Sequence, residues 1–310
     1  MDITAMGEVL IDLTQTGVNE YRVPTFAANP GGAPANVAVA AARLGAETAF
    51  VGKVGSDGFG AYLTGVLKEN GVDVSGLRTG ESATTMAIVS VDETGERDFR
   101  FVRGADCELR VDEFDLELIR QSRFFHFGSV SLTAGPARET TLYAAAQARE
   151  MGVLVSYDPN YRQALWSSQE EAVAWMKKPL SLVDVLKISD EELPLVTGMA
   201  GLEEGTKALQ DLGITLVLVT LGGDGAYYRL GEHTGHVPGI KTAIADTNGA
   251  GDTFLGAVLS RLCLRGEKPL EGLTAAEVKE VLSFANRAAA KTCSRSGAIP
   301  AMPTLAELGN

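Results

Sequence analysis

The run Leu216-Val217-Leu218-Val219 is apolar at every position and shows none of the alternation of a strand with one wet face. Such a strand is buried on both sides, which points to a parallel sheet with helices above and below it. Strand-sized runs of similar kind recur near 124–127, 153–157, 183–188 and 215–221. Helical patterns over about 138–151, 170–178 and 203–212 separate them. Parallel neighbours need long crossovers, and helices of that length supply them. The alternation predicts a three-layer α/β fold with a largely parallel sheet.

The N-terminal third follows the same rhythm with one interruption. A strand over 3–11, broken by Gly7-Glu8, ends at Asp12, and a polar, irregular stretch then runs to Pro30. Gly31-Gly32-Ala33-Pro34-Ala35-Asn36 opens an alanine-rich helix that reaches Leu44 and stops at Gly45. A strand over 48–54 leads into a second helix ending near Asn70-Gly71. Two strands over 84–91 and 97–103 then break the rhythm, joined by the turn Asp92-Glu93-Thr94-Gly95-Glu96. Phe99 and Phe101 alternate with Arg100 in the second of them. This hairpin predicts a small sheet projecting from the main domain, and the tail after Gly297 reads as a closing strand and loop. Ligands of open α/β sheets collect beyond the carboxyl ends of the strands, where Asp12, Asp158, Ser189 and Gly222 fall.

Chemistry concentrates in Asp246-Thr247-Asn248-Gly249-Ala250-Gly251-Asp252-Thr253-Phe254. Leu255, Val258, Leu259, Leu262 and Cys263 follow on one helical face, and Gly266 can end that helix. Gly249, Ala250 and Gly251 therefore stand at a helix start, where backbone N–H groups lack partners and the dipole is positive. Two readings fit: an ordinary tight turn with Asp252 as an N-cap, or an anion site with a carboxylate at its mouth.

Bulk properties narrow the classes. The chain has 310 residues, 45% hydrophobic and 22% charged, enough for one large α/β unit with an appendage. Its formal charge of -13, without a basic patch, argues against a nucleic-acid binder. No apolar run approaches a membrane span, and no signal peptide is visible, so no membrane partner and a cytoplasmic location are expected. Cys107, Cys263 and Cys293 are odd in number and widely spaced, unlike a disulfide framework or a zinc site. His126 in its aromatic strand reads as a core residue, and His233 and His236 as surface residues flanking a loop.

Several separated stretches now carry a resemblance. Gly31-Gly32-Ala33-Pro34-Ala35-Asn36-Val37-Ala38 with Arg43-Leu44-Gly45, and the Asp246–Phe254 stretch, are similar to the two signatures of PfkB-type (ribokinase-like) sugar kinases. Within that family the chain most resembles fructokinases, through Gly7-Glu8-Val9-Leu10-Ile11-Asp12, Arg103-Gly104-Ala105-Asp106, Phe125-His126-Phe127-Gly128-Ser129, Asp158-Pro159-Asn160-Tyr161-Arg162 and Lys187-Ile188-Ser189-Asp190-Glu191-Glu192. The resemblance spans nearly the whole chain. It implies a ribokinase-like α/β/α fold with a small β lid. The expected core is 1–11, 31–83 and 106–310, and the expected lid 12–30 and 84–105. It also implies transfer of the ATP γ-phosphate to the 6-hydroxyl of fructose, with 2-keto-3-deoxygluconate kinase and a non-catalytic sugar sensor as rival readings.

The same resemblance implies roles residue by residue. Asp252 is the expected general base, with Gly249, Ala250 and Gly251 as the anion hole. Asp12, Gly31, Gly32, Asn36, Phe101, Arg103 and Arg162 are expected at the sugar. Lys187, Ser189, Thr220, Gly222, Gly225 and Asn286, with Gly249 and Gly251, are expected near ATP. Mg²⁺ is expected with the nucleotide, Glu192 acting on it through water, and K⁺ beside Asp246 and the 295–301 loop, where Ala301 replaces a serine of some relatives. A homodimer through the lid is the expected assembly. Read without the family, Asn36 is a buried polar residue or cap, Arg103 a strand end, Arg162 a surface arginine, and Gly222-Gly223-Asp224-Gly225 a hairpin turn.

Overall fold

The computed structural model describes residues 1–91 and 97–309, with the backbone alone at 90, 91 and 97–99. The expected turn over 92–96 and the Phe99 side chain lie outside the described residues. In chain order the strands are β1 (Ile3–Met6), β2 (Leu10–Val18), β3 (Pro24–Gly31), β4 (Thr48–Gly55), β5 (Val72–Gly80), β6 (Met86–Val91), β7 (Arg97–Val102), β8 (Phe124–Gly128), β9 (Leu154–Asp158), β10 (Val185–Ser189), β11 (Leu216–Thr220), β12 (Gly225–Leu230) and β13 (His233–Pro238). The helices are α1 (Ala33–Arg43), α2 (Gly58–Glu69), α3 (Leu116–Arg120), α4 (Gly135–Glu150), α5 (Gln169–Lys177), α6 (Glu192–Thr197), α7 (Leu202–Gln210), α8 (Ala250–Cys263), α9 (Ala275–Cys293) and α10 (Leu305–Leu308).

A nine-stranded sheet in the order β13-β12-β11-β10-β9-β8-β1-β4-β5 forms the middle layer. It is parallel from β5 to β11 and antiparallel at β12 and β13. The Leu216–Val219 run is fully buried, as its composition requires. One face packs Leu186, Val217 and Val219 with residues of α4, α5, α6 and α7. The other packs Val185, Leu216 and Leu218 with α1, α8 and α9. A second sheet, in the order β3-β2-β6-β7, stands apart from the first.

The structure departs from the sequence reading in several places, and it adds β5 and α9, which that reading did not contain. The apolar stretch over 3–11 is two strands, one in each sheet, because Gly7 takes φ 150° and turns the chain out of the core sheet. A Cβ at Gly7 would lie 2.7 Å from Pro34 Cγ, so the turn and the start of α1 share one tight space. The polar stretch before Pro30 is the rest of β2 and all of β3, ordered by antiparallel pairing rather than by apolar pattern. The tail after Gly297 is a 3₁₀ turn and the short α10, with no strand. His233 opens β13 beside the Gly231–Glu232 turn, as expected, while His236 lies inside the strand; both are exposed, and His236 Nε2 lies 2.8 Å from the Asp224 carbonyl oxygen.

Two local devices set the geometry of the site. Gly256 on α8 faces α1, where a Cβ would come within 2.7 Å of Ala40 Cβ and 2.9 Å of the Val37 carbonyl oxygen. The missing side chain lets the two helices approach, and one turn earlier on each they present Asn36 and Asp252 to one another. Asp57 caps α2 by accepting from Gly60 N–H (2.8 Å) and also from Thr84 N–H (2.7 Å). That second bond anchors the chain where it leaves the core for β6.

Candidate active site

Gly249, with φ 73°, is the N-cap of α8, so Asp252 is the third residue of the helix and caps nothing. The Gly251 and Asp252 amides have no main-chain acceptor among the described residues. The cap-and-turn alternative therefore fails on Asp252, whose carboxylate points away from its own helix end. Its Oδ2 accepts from Asn36 Nδ2 at 2.8 Å, and its Oδ1 from Asn160 Nδ2 at 3.4 Å. Asp252 is buried, which raises its pKa, while Asn36, Lys187 and Arg162 pull it back towards ionisation.

Lys187 stands across from this carboxylate. Its Nζ donates to Asp158 Oδ2 at 3.0 Å, and both side chains are buried. It also lies 3.0 Å from where a Cβ on Gly251 would sit, so a side chain there would press on the ammonium. Burial opposes the lysine's charge, but Asp158 and Glu192, with Asp252 behind them, outweigh burial and raise its pKa. Burial lifts Asp158 to about 6 against the pull of Lys187. The ammonium thus remains a fixed positive charge beside the glycine amides, in a chain that is acidic on average.

A cavity between the small sheet and the starts of α1 and α8 opens in front of Asp252. Asp12, Gly32, Asn36, Phe101, Asn160, Arg162 and Gly249 line it, together with Glu8 and Leu10. Gly31 makes room for Asp12, since a Cβ there would stand 2.3 Å from Asp12 Oδ2. Burial lifts the Asp12 carboxyl to about 6, with the exposed Arg162 opposing the shift. Among the described residues Asn36 Oδ1 and Glu8 Oε2 are buried without a hydrogen-bond partner, and each is available to a polar ligand.

Arg103 lies just behind the cavity, where its guanidinium reaches the Val130 carbonyl at 3.4 Å. Its guanidinium makes a 2.7 Å ion pair with the buried Asp106 and donates to Thr133 Oγ1 at 2.5 Å. It is absent from the cavity lining. Its contacts fix the root of β7 to the core.

The residues expected near a nucleotide lie along the carboxyl ends of β10 and β11. Ser189 and Thr220 are register partners there. Gly222, at φ 55°, is exposed with nothing near its Cβ position. Gly225 is packed instead: a Cβ would lie 2.2 Å from the Val237 carbonyl oxygen. Asn286 donates to the Val237 and Pro238 carbonyls at 3.1 and 3.0 Å, so its amide holds the end of β13. A surface groove beside it is lined by Val237, Pro238, Ile240, Lys279, Ser283 and Arg287 among others.

The candidate cation residues are bonded within the protein. Glu192 accepts from the Tyr161 N–H at 2.6 Å and the Ser189 N–H at 2.8 Å, clamping two loops together. Asp246 accepts from the Asn248 and Gly297 amides, both at 3.1 Å, tying the α8 entry loop to the loop after α9. No group of three or more His, Cys, Asp or Glu side chains among the described residues is arranged to hold a metal ion.

Two residues of the cluster, Glu8 and Asn160, were outside the sequence-based candidates, and Asp158 was placed only by its position at a strand end. Each sits in a stretch that carries the resemblance, but their significance lies in contacts over long sequence separations. His126 is fully buried with Nδ1 3.2 Å from Ser156 Oγ, and burial lowers its pKa to about 3, which fits a core residue.

The sequence matches the pfkB family carbohydrate kinase over residues 1–305. Fructokinase-1 of Zea mays is 43% identical over 317 aligned residues, covering 99% of this chain and 96% of the relative. A crystal structure of fructokinase with bound ATP from Xylella fastidiosa matches with a TM-score of 0.92 at 34% identity, over 99% of this chain and 96% of that one. Fructokinase from Vibrio cholerae O395, in its fructose, ADP and calcium ion bound form, matches with a TM-score of 0.87 at 35% identity, over 99% and 97%. The fold is ribokinase-like. The chain belongs to the pfkB family of carbohydrate kinases.

Proposed function

We propose that this protein is a fructokinase, transferring the γ-phosphoryl group of ATP to the 6-hydroxyl of D-fructose. The observation that carries the reading is the buried Asp252 carboxylate, held by two asparagine amides at the mouth of a helix-start anion hole and facing a cavity with polar groups converging on it. Full-length similarity to fructokinases supports the choice of sugar.

In this reading Asp252 takes the proton of the 6-hydroxyl as that oxygen bonds to the γ-phosphorus. The bond from γ-phosphorus to the bridging oxygen breaks, and ADP leaves with the electron pair. Gly249, Ala250 and Gly251 offer amides to the migrating group, and Lys187 adds positive charge beside them. Asp12, Gly31, Gly32, Asn36, Phe101 and Arg162 form the sugar site, while Arg103 acts through Asp106 to steady the lid. ATP lies over Ser189, Thr220 and Gly222, its base towards the groove shaped by Gly225 and Asn286.

Mg²⁺ would arrive on the phosphates and keep most of its water, so it needs few protein ligands. That ion supplies charge neutralisation on the phosphates. Glu192 is left to accept from its water while holding the Ser189 loop. K⁺ fits beside the loops that Asp246 joins.

The sheet of β2, β3, β6 and β7 serves as a lid that excludes water during transfer, with 12–30 and 84–105 as lid and the remainder as core. Val18, Tyr21, Val23, Phe26 and Val102 are exposed on it, which supports a homodimer contact through the lid. No helix of the described residues is long and apolar enough to cross a membrane. The three free cysteines are consistent with action in the cytoplasm.

An ATP-consumption assay over a panel of sugars, with the product identified, tests the assignment. Turnover on fructose well above that on 2-keto-3-deoxygluconate is expected, since Asp12 and Asp252 outnumber Arg162 in the cavity lining and Arg103 is paired with Asp106. Preference for the acid, or no ATP consumption with any hexose, would overturn it.

A further inference from the structure

We propose that Asn160 is a positioning residue for phosphoryl transfer: it fixes the orientation of the Asp252 carboxylate and couples it to the Lys187–Asp158 ion pair. The inference rests on the reading of Asp252 as the base.

Four links join these groups. Lys187 Nζ donates to Asp158 Oδ2 at 3.0 Å, and Asp158 Oδ1 accepts from the Asn160 main-chain N–H at 3.2 Å. Asn160 Nδ2 reaches Asp252 Oδ1 at 3.4 Å, and Asn36 Nδ2 holds the other oxygen at 2.8 Å. The cation that faces the anion hole and the carboxylate that faces the sugar are thereby fixed relative to one another, although they sit on β10 and α8. Without Asn160 the Asp252 carboxylate keeps Asn36 as its one side-chain hydrogen-bond donor among the described residues.

The backbone explains why the residue is asparagine. Asn160 has φ 44°, and among the described residues the only other non-glycine at positive φ is Arg22. Glycine and asparagine adopt this conformation with least strain, and aspartate also tolerates it. Of these only asparagine brings an amide donor; aspartate would set a second carboxylate against the base. Local strain held in place by a hydrogen-bond network is characteristic of functional sites.

The test is the pH dependence of kcat. Groups from several elements face Asp252: Lys187 from β10, Asp158 from β9, Asp12 from β2, and Arg162 and Asn36. All of them remain in the variants, so a change in the profile reports on Asn160. An N–H donor favours the charged form of a carboxylate, and its loss raises the pKa. Asn160→Gly keeps the left-handed backbone. It is expected to lower kcat about 10–100-fold and to move the acidic limb up by roughly half to one pH unit, with KM for fructose little changed and the melting temperature retained. Asn160→Asp is expected to move that limb further, because it adds a like charge, and it carries the test if the glycine variant does not fold.

Asp252→Asn separates the two layers of the argument. If that variant keeps near-normal turnover, the reading of Asp252 as base fails. If it is inactive while both Asn160 variants fold and reproduce the wild-type pH profile and kcat, the base reading stands and the role of Asn160 is overturned. A melting temperature that falls with no movement of the limb would likewise reduce Asn160 to a structural residue.

Discussion

The two ends of the site are built in opposite ways. Around the cavity proposed for the sugar, and at the ion pair behind it, the groups are buried and mutually bonded: Asp252, Asn36, Asp158 and Lys187 have almost no exposed surface, and each has its partner within the protein. Along the end proposed for the nucleotide, Gly222 is exposed and Thr220 half-buried at the strand ends, and the bonds of Asn286 serve the fold. The difference follows from what each end has to do. Proton removal and phosphoryl stabilisation need groups fixed in a low-dielectric setting before the substrate arrives. A large nucleotide is recognised by close approach of backbone, which needs space rather than charge.

Perturbing the buried end should be far more costly. Asp252→Asn is expected to keep the fold and lose roughly 10²–10⁴-fold in kcat, measured at saturating fructose and ATP. Gly256→Val comes next. It forces α1 and α8 apart where a Cβ already meets Ala40 and Val37. A loss of about 1–3 kcal/mol in stability is expected by denaturant titration. Because Asn36 then withdraws from Asp252, kcat should fall roughly 10–100-fold in protein that is still folded. Full activity in that variant would show that the helix approach does not set the site.

Glu8 tests the same end through pH. Burial raises its carboxyl to about 7 from an ordinary value of 4.5, despite the Ala33 amide that Oε1 accepts at 2.9 Å. The folded state holds this proton more tightly than the unfolded chain. Its contribution to stability is therefore complete below about 4.5 and is lost as the pH rises through about 7. Glu8→Gln keeps an acceptor for Ala33 and removes the titration. Relative to wild type it should gain on the order of 3 kcal/mol between pH 5 and pH 8 in unfolding experiments, with a flat difference as the contrary result.

The smallest effect belongs to the open end. Gly222→Ala places a Cβ at φ 55° in free space, at a cost of about 1–2 kcal/mol in stability. KM for ATP should rise a few-fold with kcat nearly unchanged. A large drop in kcat there would mean that the nucleotide end is as tightly organised as the sugar end.

Legibility followed the range of the interactions. The core strands β8 to β11 and their helices could be read from local pattern, because burial on both faces writes itself into every residue of a strand such as Leu216–Thr220. The strand β3 could not, since its residues are half-exposed and it exists only through pairing with β2. The split of the 3–11 stretch was equally hidden, because Gly7 turns the chain there to fit Pro34, a residue distant in sequence.

The sequence by itself determined the layered α/β architecture, the helix start at Gly249-Ala250-Gly251 and the chemical groups available for transfer, since each depends on residue type and short spacing. Only the tertiary structure decided which of those groups meet. Asn36 and Asp252 are separated by 216 positions, and their bond exists because a glycine on one helix admits an alanine on another. Arg103 likewise became an anchor through Asp106 and Thr133, partners supplied by the folded surroundings. Hydrogen bonding depends on distance and direction in space, and those are fixed only once the core has packed.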